Sequence, residues 1–472
     1  MDTADVVVVG AGPTGLMLAC ELALGGVEVR VLEERASTPN VTRAFAVHAR
    51  TLELLDARGM AEDLIPRGVP VYEVAPPGGK AMDLRELPGR YAMLLIVPQS
   101  GTEQVLEGRA GELGVPIVRG AEVVALSQDG DGVTVECADG ESIRAKYVVG
   151  CDGAHSTIRD LVGIDFVGKQ YETHILLADV ALLRAPGDTL TGVTNERGVV
   201  LMIPFGDGWF RAIAWDRLRE QAPMTEPVTL DEIRDSFVRI AGEDFGMTDM
   251  RWSSRFLSER RQARHYRSGR AFIAGDAAHV HSPLGGQGMN TGIGDAMNLG
   301  WKLAAAVNGS APPALLDSYE AERHPVGAAV LRTTDAFNQV VLGRSRVQRI
   351  VRNIVIGTLT RVPRTRRLMR EFLSGIGIAY AHRRGDNPLV GRRMPDIDCN
   401  GTRVYELLRE GKFVLVTAAP VEIGRSDIVH VVGRHPELPD AVLVRPDSYV
   451  AWADDRMPSA AELVAAMDNW LH

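Results

Sequence analysis

Four consecutive valines, Val6-Val7-Val8-Val9, run directly into Gly10-Ala11-Gly12-Pro13-Thr14-Gly15, and this junction constrains the fold more than any other stretch of the chain. A β-branched run of this kind suits a strand buried on both faces of a sheet. The glycines that follow have separate duties. Gly10 permits a tight turn, Gly12 lets the backbone approach a pyrophosphate, and Gly15 lets the next helix, predicted over Pro13 to Leu24, pack closely on the strand. Free N–H groups and a partial positive charge at that helix start favour a phosphate. A second strand over residues 28–32 leads to Glu33, eighteen positions after Gly15, where a carboxylate can accept hydrogen bonds from an adenosine ribose. Strand, glycines, helix, strand and acid predict a dinucleotide-binding α/β unit. They do not separate FAD from NAD, because both carry the same ADP half.

This unit fills only the N-terminal part of 472 residues that are 45% hydrophobic and 24% charged, a composition suited to two or three domains with substantial cores. No run of 18 apolar residues occurs, so no membrane span is predicted, and the short lead-in to the first strand predicts a cytoplasmic protein without a signal peptide. Cys20, Cys137, Cys151 and Cys399 lack CxxC spacing, which argues against a zinc site or a disulfide framework and for four packing residues. A net charge of -9 gives no indication of a nucleic-acid partner. Residues 341–370 depart from this balance. They hold nine arginines and no acid, and setting these nine aside from 52 basic residues against 61 acidic ones leaves -18 on the rest of the chain. Three readings are open for this segment: a solvated helical face, a surface that attracts anionic NADPH, or one that touches a membrane.

Two further motifs stand at the ends of apolar strands. Tyr147-Val148-Val149 leads to Gly150-Cys151-Asp152-Gly153, followed by a helix start that Ser156 can cap. Ala271-Phe272-Ile273-Ala274 leads to Gly275-Asp276-Ala277-Ala278-His279, which puts a carboxylate where open α/β sheets hold their ligands. Pro283-Leu284-Gly285-Gly286-Gln287-Gly288-Met289-Asn290 then feeds a helix predicted from about Asn290 to Ala306. Its glycine-rich start is a second anion site, suited to the negative charge of a reduced flavin ring.

These motifs, in this order and with Asp295-Ala296-Met297-Asn298-Leu299-Gly300-Trp301-Lys302-Leu303-Ala304 after them, resemble those of the group A FAD-dependent aromatic monooxygenases. The resemblance spans most of the chain. It is strongest to bacterial hydroxylases of aromatic polyketides and rifamycin-type antibiotics, through Tyr319-Glu320-Ala321-Glu322-Arg323-His324-Pro325 and Gly391-Arg392-Arg393-Met394-Pro395-Asp396.

The resemblance implies a Rossmann-like FAD-binding domain of the glutathione-reductase type (1–70, 99–164 and 269–330). It implies an inserted β-sheet substrate domain (71–98 and 165–268), a helical connection (331–395) and a thioredoxin-like C-terminal domain (396–472) that lacks CxxC. FAD is expected at Gly10, Gly12, Pro13, Thr14, Gly15, Glu33, Glu34, Arg43, Gln99, Val123, Asp152, Gly153 and Asp276, and at Gly286, Gln287, Gly288, Met289 and Asn290. In the family a basic residue directly follows the ribose acid; here Glu34 does, with Arg35 one later. Met202, Phe205, Phe210 and Trp215 are candidate substrate-wall residues, although ordinary core is the more common place for such side chains, and a structural role is expected for His281.

No catalytic acid or base is assigned. Pro283 and Gly286 mark the expected oxygen-reaction loop, and no metal is expected. The implied reaction takes electrons from NADPH or NADH, visiting transiently, and delivers one atom of O2 to an aromatic small molecule through a flavin C4a-hydroperoxide. A monomer or homodimer is expected. Baeyer–Villiger oxygenation, epoxidation, a flavin dehydrogenase or reductase, and a ligand-sequestering flavoprotein are the alternatives.

Overall fold

The computed structural model describes residues 2–37, 44–75, 80–187, 190–282, 285–341 and 346–471. Arg43 and Pro283 lie outside the described residues. The largest sheet has five parallel strands in the order Ala271–Ile273, Ser142–Gly150, Asp2–Val9, Val29–Glu33 and Ile117–Arg119. Arg267–Ser268 adds an antiparallel edge, and the hairpin Val123–Gln128 with Val133–Cys137 pairs onto Ser142–Gly150. Val6, Val7 and Val8 are fully buried, as a central parallel strand covered on both faces requires.

The register aligns the carboxyl ends of the strands. Val9 pairs with Gly150 on one side and Leu32 on the other, and Gly150 pairs with Ile273. The turns that follow therefore emerge side by side. Above them the helices Pro13–Leu24 and Gln287–Val307 pack along each other with almost no space between. A Cβ on Gly25 would stand 2.6 Å from that of Ala304, and one on Gly300 would collide with Glu21. The second helix starts three residues before the predicted Asn290, because Gly286, at φ +61°, forms its N-cap.

A second sheet of six antiparallel strands runs Thr191–Thr194, Gly198–Pro204, Trp209–Asp216, Phe166–Leu182, Met247–Ala263 and His279–Val280. The helix Leu230–Ala241 covers one face; Thr229 caps its start by accepting from Glu232 N, and Gly242 at φ +90° ends it. The short strands Ala46–Val47, Leu94–Ile96 and Val69–Val71 form a separate small sheet whose side chains pack on the other face.

Helices Asp317–Val341, Arg346–Leu359 and Pro363–Ser374 follow. They lead to a four-stranded sheet ordered Ile428–Val432, Phe413–Thr417, Ala441–Val444 and Val450–Asp454. Its last strand begins just after Ser448, which adopts φ +61° in a turn. Buried ion pairs tie this sheet to the rest. Arg58 donates to Glu21 at 2.5 Å and to the carbonyls of Leu408 and Pro446. Lys302 and Arg445 both donate to Glu322, at 2.7 and 2.6 Å. Cys20, Cys137, Cys151 and Cys399 are all free thiols, none fully exposed.

Candidate cofactor and substrate site

The first glycine turn and the Asp-Gly turn are built against each other. Gly10 has φ +102°, and a Cβ there would collide with the Cys151 carbonyl and lie 3.0 Å from Asp152 N. Gly15 is pressed on the Gly10 carbonyl in the same way. Thr14 is wedged between the other two motifs, since a Cβ on Gly275 would stand 2.6 Å from its Oγ1 and one on Gly292 would overlap it. Gly12 differs: nothing lies within 4 Å of its missing Cβ. It caps a helix that has Pro13 in its first turn and no side-chain cap, so open space and unclaimed N–H groups coincide, as a pyrophosphate requires.

Glu33 is buried at the end of its strand. Oε2 accepts from Ala11 N at 2.7 Å, and Oε1 accepts from Arg35 Nε at 2.5 Å and Arg35 N at 3.1 Å. Burial raises the pKa of this carboxyl, but the Arg35 guanidinium and the backbone donors outweigh it and hold the group ionised. Arg35, one place past the family's basic residue, thus folds back on the acid. Val123 is buried nearby, beyond a turn in which Ala121 N donates to Glu33 O; Glu34 is exposed.

Asp152 accepts from Ile158 N through Oδ2, whereas its buried Oδ1 has no partner, and burial pushes its carboxyl above the usual range. Ser156 caps the next helix by accepting from Arg159 N, as the sequence suggests. Gly153, at φ +83°, faces open space. Gln99 joins two elements, accepting from Ala44 N at 3.0 Å and donating to Glu103 at 2.8 Å.

The glycine loop is held by Asn290, which donates to the carbonyls of Gly286 and Ala46 and accepts from His48 N. Gln287 and Met289 are buried, and Gln287 Nε2 lies 3.5 Å from the Phe372 carbonyl. Asp276 is exposed; a Cβ on Gly288 would lie 3.6 Å from its Oδ1 and 3.7 Å from His281 Nε2. Two buried imidazoles flank this loop. His281 Nδ1 faces the Ser282 carbonyl at 2.9 Å, while among the described residues its Nε2 and His48 Nδ1 have no partner. Burial pushes the pKa of His48 down to about 4 and that of His281 down as well.

Sequence reasoning missed His48 and the charge network behind the Gly-Asp turn. Asp295, fully buried, accepts from Gly275 N at 3.1 Å and from Arg323 Nε at 2.7 Å, and its Oδ2 meets His279 Nε2 at 2.7 Å. Burial opposes its ionisation, and Arg323 with His279 overcomes that and lowers its pKa. The available signal was an acid within a helical stretch, 293–306, made mostly of apolar residues and glycine.

The four candidate wall residues divide between two faces. Met202 and Phe210 pack beneath helix Leu230–Ala241 with Ile233 and Phe237. Phe205 and Trp215 lie on the opposite face, with Ala46, Ile96 and Ile203. Ala46 in turn lies 3.2 Å from the missing Cβ of Gly286, so only this second face approaches the glycine loop.

Sheet, turns and helix starts define a dinucleotide-binding α/β protein with a single ADP-type cradle among the described residues. An FAD binding domain model matches residues 3–334, and an aromatic-ring hydroxylase C-terminal model matches residues 387–472. The chain belongs to the family of FAD-dependent aromatic-ring hydroxylases, which are monooxygenases. It is 42% identical to rifampicin monooxygenase of Streptomyces venezuelae, covering 99% of this chain and 98% of that one. It is 38% identical to a 12-dehydrotetracycline 5-monooxygenase/anhydrotetracycline 6-monooxygenase of Streptomyces rimosus, with 99% and 98% covered. The solved OxyS anhydrotetracycline hydroxylase from Streptomyces rimosus superimposes with a TM-score of 0.88 at 38% identity, covering 99% of each chain.

Proposed function

We propose that this monooxygenase hydroxylates an aromatic polyketide or a related antibiotic, using electrons from NADPH or NADH and one atom of O2. The observation that carries the reading is the arrangement at the carboxyl end of the parallel sheet: the open cradle at Gly12, an Asp152 Oδ1 without a partner among the described residues, and the glycine loop at Gly286 come together beyond the ends of its strands. The parallel sheet then serves as the Rossmann-like, glutathione-reductase-type FAD-binding domain. The six-stranded sheet serves as the substrate domain, and residues 396–472 serve as a thioredoxin-like domain without thiol chemistry.

Bound FAD supplies the electron transfer and the activation of oxygen. Gly10, Gly12, Pro13, Thr14 and Gly15 receive the pyrophosphate at the helix start. Glu33 receives the ribose hydroxyls once the Arg35 side chain, about 40% exposed, moves off it, with Val123 beside the adenine. Asp152, Gly153 and Asp276 would hold the middle of the cofactor, and Gln99 would contact it further along. Gly286 to Asn290, at the start of a helix, would offer backbone N–H groups to the flavin ring, where they would favour negative charge. Phe205 and Trp215 form part of the aromatic wall opposite; Met202 and Phe210 do not, since they face away.

Incubation with NADPH, 18O2 and a panel of rifamycins and aromatic polyketides tests this reading. One 18O atom in a product of substrate mass plus about eighteen, in place of plus about sixteen under ordinary O2, supports it. Turnover of NADPH without oxygen incorporation into any member contradicts it.

A further inference from the structure

We propose that the exposed face of helices Arg346–Leu359 and Pro363–Ser374 docks on an anionic lipid bilayer, lying in the plane of the headgroups.

The first observation is apolar exposure. Fifteen large hydrophobic side chains are exposed among the described residues, and six of them fall within nineteen positions: Ile350, Ile354, Val355, Leu359, Val362 and Leu368. At 100° per residue Ile350, Ile354, Val355 and Leu359 stand at about 0°, 40°, 140° and 180° around the axis, so that they spread over one half of the helix circumference. Ile356, between them in sequence, is buried on the opposite side. The helix is therefore anchored along one face and carries a second apolar face that no described residue covers. Fourteen residues span about 21 Å, too short to cross a bilayer but suited to lying along one. No described helix is long and apolar enough to cross a membrane.

The second observation is charge. Nine arginines and no acid occupy 341–370, on a chain whose remainder is strongly acidic. Arg366 and Arg370 pair with Glu86, and Arg367 with Glu371 at 2.7 Å. Arg361 and Arg364 are exposed and have no ion-pair partner among the described residues. An apolar stripe bordered by arginines matches a surface that is negative at its headgroups and apolar just beneath.

The competing occupants use only half of these features. A nicotinamide dinucleotide would answer the arginines and leave six apolar side chains in water. A second copy meeting this face about a two-fold axis would bring like charge against like charge.

The location gives the contact a purpose, and this consequence rests on the function proposed above. Thr360 accepts from Lys80 N at 3.2 Å, and the Phe372 carbonyl lies beside Gln287 at the glycine loop. An apolar aromatic substrate dissolved in a bilayer would thus be met by the side of the molecule next to the flavin.

The test is cosedimentation of the FAD-loaded protein with vesicles, without substrate or NADPH, so that its outcome is independent of the reaction. The protein should sediment with phosphatidylcholine vesicles containing phosphatidylglycerol and about tenfold less with phosphatidylcholine alone, and raised salt should release it. Ile354→Glu with Leu368→Glu, and separately Arg361→Gln with Arg364→Gln, should each weaken binding by about tenfold or more while leaving the flavin absorbance and Tm unchanged. The proposal is overturned if wild type ignores anionic vesicles, or if both variants bind them as wild type does. It is overturned equally if light scattering shows a dimer that Ile354→Glu separates while vesicle binding persists.

Discussion

Thr14 on the first helix and Gly292 on the long central helix pack so closely that a Cβ on residue 292 would occupy the place of the Thr14 hydroxyl. The same Cβ would lie 3.2 Å from Gly275 Cα, so the obstacle is backbone as well as side chain. Gly292→Ala should therefore push apart the two turns that Thr14 joins. Overpacking of this kind costs about 1–3 kcal/mol, and the expected result is weaker FAD retention on gel filtration together with a lowered Tm. Unchanged FAD content would show that the turns need not stay in contact.

The two imidazoles beside the glycine loop make the protein sensitive to acid. His48 stays neutral in the folded state down to about pH 4, while in the unfolded chain it protonates near 6.5. Its stabilisation is complete above pH 6.5 and declines as pH falls from there towards 4, by up to about 3 kcal/mol. His281 acts in the same direction. Tm measured from pH 7.5 to 4.5 should fall across this window, and His48→Gln should make the slope shallower.

Glu322 holds two buried cations, Lys302 and Arg445, between the central helix and the C-terminal sheet. Burial already lowers Lys302 to about 8. Glu322→Gln would leave both cations without their shared carboxylate, at a cost of about 3–5 kcal/mol. Urea denaturation should show a loss of that size, and limited proteolysis should release a C-terminal fragment earlier than in wild type.

The two faces of the antiparallel sheet should respond differently to truncation. Met202→Ala removes core packing beneath helix Leu230–Ala241 and should cost about 2–5 kcal/mol with little change in KM. Phe205→Ala, on the face towards the glycine loop, should raise KM for the aromatic substrate. Steady-state kinetics alongside thermal melts separate the two; a raised KM for Met202→Ala alone would reverse the assignment.

Local physics explains what was legible beforehand. Val6 to Gly15 specify strand, turn and helix through residues a few positions apart, and the apolar runs Gly198–Pro204 and Trp209–Asp216 form strands whose successive side chains alternate between two faces. Which side of that alternation faces the cofactor was not legible. It depends on where helix Leu230–Ala241 and the strand Ala46–Val47 come to rest, the latter through contacts across more than a hundred residues. Asp295, His279 and Arg323 were obscure for the same reason, since each becomes informative only beside the others. Arg35 shows a different limit. Its position was legible, but its return onto Glu33 depends on a turn geometry that spacing alone does not give.

Anaerobic reduction of the bound flavin by NADPH, followed at the oxidised-FAD absorbance with and without candidate aromatic ligands, tests the central claim most directly. The account predicts that one ligand class accelerates reduction by about tenfold or more, as expected when substrate binding gates hydride transfer. Equally fast reduction with no ligand present would contradict it and indicate a flavin reductase built on the same fold.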